Sequence, residues 1–256
     1  MKFGTLTRFL AIIAGVTVIS PIFALLFKVP WKHFFSGFSE LDPLKLSLWT
    51  SALAAVISLL LGIPLAWVFA RGSKIITGFL RPFILAPIVL PPTVTGIALL
   101  ALLGRKGILG APIYEATGWA MPFTSLAVVF CGVFVGLPFV VLICESSFLH
   151  LPKEIEDAAI IDKVSGKELL QKIAIPQSRS AIITAGLLAW ARAIGEFGAT
   201  LMFAGSFPGT TQTWPMYIYQ ELDINPGTSY DYAFLMLVVA IVVVFLLRGQ
   251  LREAFR

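Results

Sequence analysis

The 25-residue stretch LSLWTSALAAVISLLLGIPLAWVFA, Leu46–Ala70, contains no charged side chain. As an α-helix it would be about 37 Å long, enough to cross the roughly 30 Å hydrocarbon core of a bilayer. Comparable uncharged runs lie on both sides of it, at Phe9–Phe27, Pro82–Gly104 and Ala116–Cys144. A fifth apolar run, Ser180–Phe207, carries two charges, Arg192 and Glu196. The sixth, Tyr232–Leu247, reaches spanning length when Ser229 and Tyr230 are included. The chain is 58% hydrophobic and 13% charged, whereas a soluble domain carries about 25% charged residues. Its polar surface cannot cover a water-soluble globule, so lipid must cover much of it. The expectation is an all-α membrane protein of about six transmembrane helices in a single domain over residues 1–256, with spans near 9–27, 46–70, 82–104, 116–144, 180–207 and 229–247.

The first run, with Lys2 and Arg8 before it, has the basic start of a signal peptide. Its 19 apolar residues exceed the ~7–15 of a signal core, and no good cleavage site follows, so a retained helix is expected. With the N-terminus inside, thirteen of the nineteen Lys and Arg fall on cytoplasmic segments. Five lie outside (Lys28, Lys32, Lys45, Arg105, Lys106), and Arg192 lies within a span. Lysine and arginine concentrate on the cytoplasmic side of membrane proteins, so both termini are assigned there.

Cys131 and Cys144 stand thirteen residues apart in one apolar run, and His33 and His150 lie in different loops. Neither pattern makes a disulfide or a metal site. No phosphate-cradling loop or catalytic signature occurs. Energy for any transport would come from another chain or an ion gradient. Trp31, Trp119 and Trp214 fall near expected interfaces and are read as anchors first, partner contacts second.

The longest cytoplasmic loop, 145–179, opens a helix at Leu151–Ile161. Pro152 suits its first turn, and Glu154, Glu156 and Asp157 complement the positive end of the helix dipole. Asp162 and Ser165-Gly166 end or bend it. Glu168 and Lys172, four apart, indicate a second helix that Pro176 breaks. An amphipathic hairpin on the membrane would put bases on its polar face; an acidic first turn suits a protein groove better.

Glu156-Asp157-Ala158-Ala159, with Pro176 seventeen residues after Ala159, resembles the Glu-Ala-Ala loop of ABC importer permeases. In that family the loop docks into the ATPase subunit. The family's glycine falls at Lys163, preceded by Asp162, and Gly166 is expected to supply the bend instead. Two further stretches, Ala189–Thr200 (AWARAIGEFGAT) and Leu85–Gly96 (LAPIVLPPTVTG), resemble molybdate permeases, with sulfate/thiosulfate permeases second.

The resemblance implies a type I ABC importer-like fold in the plasma membrane of a prokaryote, and a homodimer joined to two ATPase subunits. It also implies an extracytoplasmic binding protein that delivers the cargo. No cofactor is implied on this chain; ATP and Mg would be used by the ATPase, and no nucleic acid is implied. The outer loops carry five bases against six acids, so they would not concentrate a dianion themselves. A sulfate permease and a gradient-driven carrier are the rival readings.

Arg192 and Glu196 sit near mid-membrane, where each charge alone costs roughly 2.5–3.5 kcal/mol. Spaced four apart they can pair along one helix face, as a packing clamp; alternatively Arg192 lines the translocation path. Pro91 and Pro92 interrupt the third run after Pro87, with Thr93, Thr95 and Gly96 following. They are read either as a packing kink or as a gate, since freed backbone groups are tolerated where they face protein or water.

Overall fold

The computed structural model describes residues 4–32, 34, 40–152, 154–155 and 161–254. Every element among them is helical. The elements are α1 (Thr5–Lys28), α2 (Asp42–Arg71), α3 (Lys74–Val89), α4 (Pro92–Leu103), α5 (Gly110–Thr117) and α6 (Ser125–Leu149). They continue with α7 (Gly166–Leu169), a π-helical segment Leu170–Ala174, α8 (Ile175–Gln177), α9 (Arg179–Ile194), α10 (Gly198–Ala204), α11 (Trp214–Ile224) and α12 (Pro226–Ala254).

Among the described residues four helices are long and apolar enough to cross a membrane: α1, α2, α6 and α12. The fifth apolar run is not one helix. It is divided into α9 and α10, which meet at a 62° bend. The third run is also divided, between α3 and α4. Twelve-residue α4 is about 18 Å long and cannot cross the core alone. The fourth run starts later than expected. Residues 118–124 form a turn with Gly118 at φ 69°, and the Thr124 hydroxyl caps α6 by accepting from the Ala127 N–H at 3.2 Å. α6 then continues to Leu149, so Glu145, expected to open the cytoplasmic loop, lies inside the helix and is buried.

The chain forms two compact units. The larger, residues 42–216 with 242–256, is built on α2, α6 and α9, and small residues set its packing. A Cβ on Gly62 would lie 2.6 Å from Val140 Cγ1, and one on Gly132 would lie 2.7 Å from the Ala54 Cβ. Such contacts let helix backbones approach closely where lipid gives no hydrophobic drive between helices. One buried cluster joins Ala66, Val140, Cys144, Phe148, Ala174, Ala185 and Ala189. A second joins Leu99 on α4, Ala127, Val128 and Cys131 on α6, and Ala199, Phe203 and Ala204 on α10. Trp214 is fully buried in this unit, and its backbone N–H donates to Ser47 Oγ at 2.7 Å. The interfacial role expected for Trp214 is therefore wrong: its position in an otherwise polar loop hid a packing residue. Trp31 and Trp119 are exposed.

The smaller unit comprises residues 1–41 and 217–241. Within it the Tyr232 hydroxyl donates to the Glu40 carbonyl at 2.6 Å, and the Trp31 ring meets Phe234 edge-on at 5.1 Å.

Candidate functional site

The residues singled out within the spans gather where α4 and α10 begin. Leu90 and Pro91 are extended, with ψ of 133° and 137°, and Pro92 occupies the first turn of α4. Proline there gives up an N–H that has no intrahelical partner anyway. Pro91 and Pro92 thus start a helix; they do not kink one. Pro91, Pro92 and Thr93 are exposed, whereas Thr95 is buried.

Opposite them the chain leaves α9 at Ile194 and enters α10 at Gly198. The expectation that Arg192 and Glu196 pair along one helix face is half right. They pair, Arg192 Nη1 to Glu196 Oε2 at 2.5 Å, but Glu196 lies in the break, beyond the end of α9. Its other oxygen accepts from the Ala199 N–H at 2.9 Å, in the first turn of α10. A carboxylate there satisfies an otherwise orphaned donor and opposes the helix dipole. One buried side chain therefore holds both sides of the bend, with 2% of its area exposed against 33% for Arg192.

α4 and α10 touch through glycine. A Cβ on Gly198 would stand 2.6 Å from Pro92 Cβ. One on Gly96 would stand 2.5 Å from Met202 Cβ and 2.9 Å from the Ala199 carbonyl oxygen. The sequence motifs Leu85–Gly96 and Ala189–Thr200 are thus the two faces of one contact.

The loop after α6 supplies the second set. Glu156, Asp157, Ala158 and Ala159 lie outside the described residues. Beyond them Asp162 and Lys163 form a turn, and Lys163 has φ 56°. This left-handed backbone costs a residue with a Cβ about 1–2 kcal/mol, and glycine nothing comparable. The position where the resemblance expects glycine is therefore one whose backbone favours glycine. Gly166 does not supply the bend. It opens α7 behind the Ser165 cap. Lys163→Gly is expected to raise the loop's local stability by about 1 kcal/mol, read by amide hydrogen exchange over residues 161–170, while Lys163→Val lowers it.

The pattern Ser165-Gly-Lys-Glu168 is a capping box, signalled in the sequence by a serine three residues before a glutamate. Glu168 N–H donates to Ser165 Oγ at 3.2 Å, and Glu168 Oε2 accepts from the Ser165 N–H at 3.2 Å. Lys172 Nζ donates to Glu168 Oε1 at 2.9 Å. That bond, with those from Ser165, pulls the exposed Glu168 carboxyl down to about 2.

Pro176 does not break this segment. With no N–H for an i→i−4 bond, it follows one π-helical turn, and the helix continues until a turn at Ser178. Ala174 is buried in the first cluster, and Ser147 Oγ donates to Ser178 Oγ at 2.9 Å. The second half of the loop is thus fixed to α6 and to the start of α9.

Among the described residues no group of three or more His, Cys, Asp or Glu could hold a metal ion. Broken apolar helices and a structured loop bonded to the long apolar helices are the construction of a transporter's membrane subunit. Residues 58–255 match the family described as binding-protein-dependent transport system inner membrane component, and the chain belongs to that family as a multi-pass membrane permease subunit. It is 37% identical over 240 residues to the molybdenum transport system permease protein ModB of Mycobacterium bovis, covering 92% of this chain and 90% of that one. It is 34% identical over 210 residues to the putative molybdenum transport system permease protein YvgM of Bacillus subtilis, covering 81% and 92%. A probable transport system permease protein, NifC of Clostridium pasteurianum, is 34% identical over 93% of this chain and 84% of its own length. In fold it matches a chain of the bacterial alginate ABC transporter solved in complex with alginate pentasaccharide-bound periplasmic protein. There the TM-score is 0.75 at 14% identity, over 97% of this chain and 93% of that one.

Proposed function

We propose that this chain is the membrane-spanning subunit of an ATP-driven importer that passes molybdate or tungstate from an extracytoplasmic binding protein into the cytoplasm. The observation that carries this reading is the 37% identity to a molybdenum transport permease over nine-tenths of both chains. It includes both segments of the α4–α10 contact. The chain works as a homodimer. It crosses the membrane six times with both termini inside, α3 with α4 and α9 with α10 each making one divided crossing. Each 145–179 loop meets one ATPase subunit, which alone binds ATP and Mg.

The loop's second half is bonded to α6 and α9. Motion of an ATPase against Glu156–Ala159 is therefore carried to the bend at Glu196 and to the α4–α10 contact. Divided helices suit this use, because a break can change angle without unwinding a turn. Arg192 and Glu196 clamp the bend, and Pro91, Pro92, Thr93 and Thr95 form the element that moves against it.

Vesicles containing this chain, its ATPase and its binding protein should take up labelled molybdate only with ATP, and excess sulfate should compete poorly. Glu156→Lys or Ala159→Trp should abolish ATP-dependent uptake. Sulfate displacing molybdate at equal concentration would make the protein a sulfate permease, and uptake by the chain alone would make it a gradient-driven carrier.

A further inference from the structure

In α3 the polar residues Lys74, Thr77, Gly78 and Arg81 recur at i, i+3, i+4 and i+7, and so share one face. All four line a cavity of about 410 Å³. Its other walls are Phe69–Gly72 at the end of α2 and Glu145 and Leu149 on α6. The other side of α3 is apolar and exposed over its first ten residues: Ile75 is 85% exposed, Phe79 69% and Phe83 65%. The Phe79 and Phe83 rings lie 5.4 Å apart along that side.

The cavity is charged for an anion. Arg71, Lys74 and Arg81 face it against one acid, Glu145, a net of two positive charges from three minus one. Glu145 is buried and paired with Arg81. Arg71 is held in place: its guanidinium sits 5.4 Å from the Trp67 ring centroid and donates to the Phe148 carbonyl at 2.8 Å. The N-terminus of α3 opens at the same place, and the Ser73 side chain makes no cap bond there. Unfilled helix N–H groups and the helix dipole add to the positive field.

We propose that this cavity binds the phosphate headgroup of an anionic phospholipid of the cytoplasmic leaflet, with acyl chains laid against Leu149 at the cavity wall and Ile75 beside Lys74. A basic pocket at the cytoplasmic end of membrane helices is suited to such headgroups. Leu149, 54% exposed at the cavity wall, favours lipid over a free oxyanion, which has no use for an exposed apolar side chain. The inference rests on the membrane assignment and on the cytoplasmic placement of the α2–α3 junction, and it is independent of the cargo.

The test uses the full chain in detergent. Native mass spectrometry and thermal unfolding are followed while phosphatidylglycerol, phosphatidylcholine or inorganic phosphate alone is added. Phosphatidylglycerol should bind more tightly than phosphatidylcholine. Lys74→Gln should weaken it about fivefold, the expected effect of one surface base, and Lys74→Glu should weaken it further. Leu149→Gln should weaken lipid binding without changing any response to phosphate. Lys74 and Leu149 are both exposed, so neither change threatens folding. Equal binding of the two lipids, or an unchanged affinity in Lys74→Glu, would overturn the proposal. Protection by inorganic phosphate equal to that by phosphatidylglycerol would also overturn it, leaving a free-oxyanion site.

Discussion

Glu196→Gln is expected to destabilise the protein by about 2–4 kcal/mol and to remove most uptake, whereas Arg192→Gln with Glu196→Gln restores much of both. Removing one partner of a buried ion pair costs about 3–5 kcal/mol, because the other charge is left uncompensated. Arg192 is one-third exposed, so the cost falls to the lower end of that range or below it. The glutamine carbonyl still accepts from the Ala199 N–H, so the single variant loses the charge pair and keeps the α10 cap. The double variant removes both charges and leaves a neutral hydrogen-bonding pair at the same bend. Thermal unfolding of the purified protein and uptake in vesicles measure the two effects separately. A double variant as stable as the parent but unable to transport would mean that Arg192 acts on the cargo, and the clamp assignment would fail.

Gly198→Ala is the second large effect, expected to cost about 1–3 kcal/mol and to slow uptake severalfold. The added methyl would sit 2.6 Å from Pro92 Cβ, and that atom belongs to a ring fixed at the start of α4. Neither side can yield by changing a rotamer, so the helix ends must part, as in other overpacked cores. Gly186→Ala is the internal comparison. Its nearest neighbour is Leu59 Cδ1 at 3.0 Å, the far end of a flexible side chain. That substitution should be close to neutral, since alanine also favours the helix. Equal stability and uptake in Gly198→Ala and Gly186→Ala would show that the α4–α10 contact is loose, and would remove it as the moving element.

The lysine at position 163 shows how sequence and structure inform each other. The resemblance expects glycine at 163, and Gly166, three residues on, is the nearest substitute in sequence. The backbone shows that the need for a left-handed residue stayed at Lys163, while Gly166 serves the next helix. A loop motif fixes a conformation at a position, and the position can keep that conformation when its residue changes.

Run length and charge spacing alone determined that this is a helical membrane protein. A 25-residue uncharged stretch has few alternatives once backbone groups must be satisfied without water. Local chemistry also marked the acidic loop start, the proline interruptions and the ion pair of the fifth apolar run. Tertiary structure decided the rest. Composition cannot tell a straight span from α9 and α10 meeting at 62°, because the two together read as one apolar run. Nor does it show that Glu196 caps the second half, since that requires α10 to begin two residues later. Trp214 is a core residue only because α2 brings Ser47 against its backbone, and Glu145 is buried only because α3 delivers Arg81. These partners lie more than sixty residues away in sequence, beyond what any local pattern encodes.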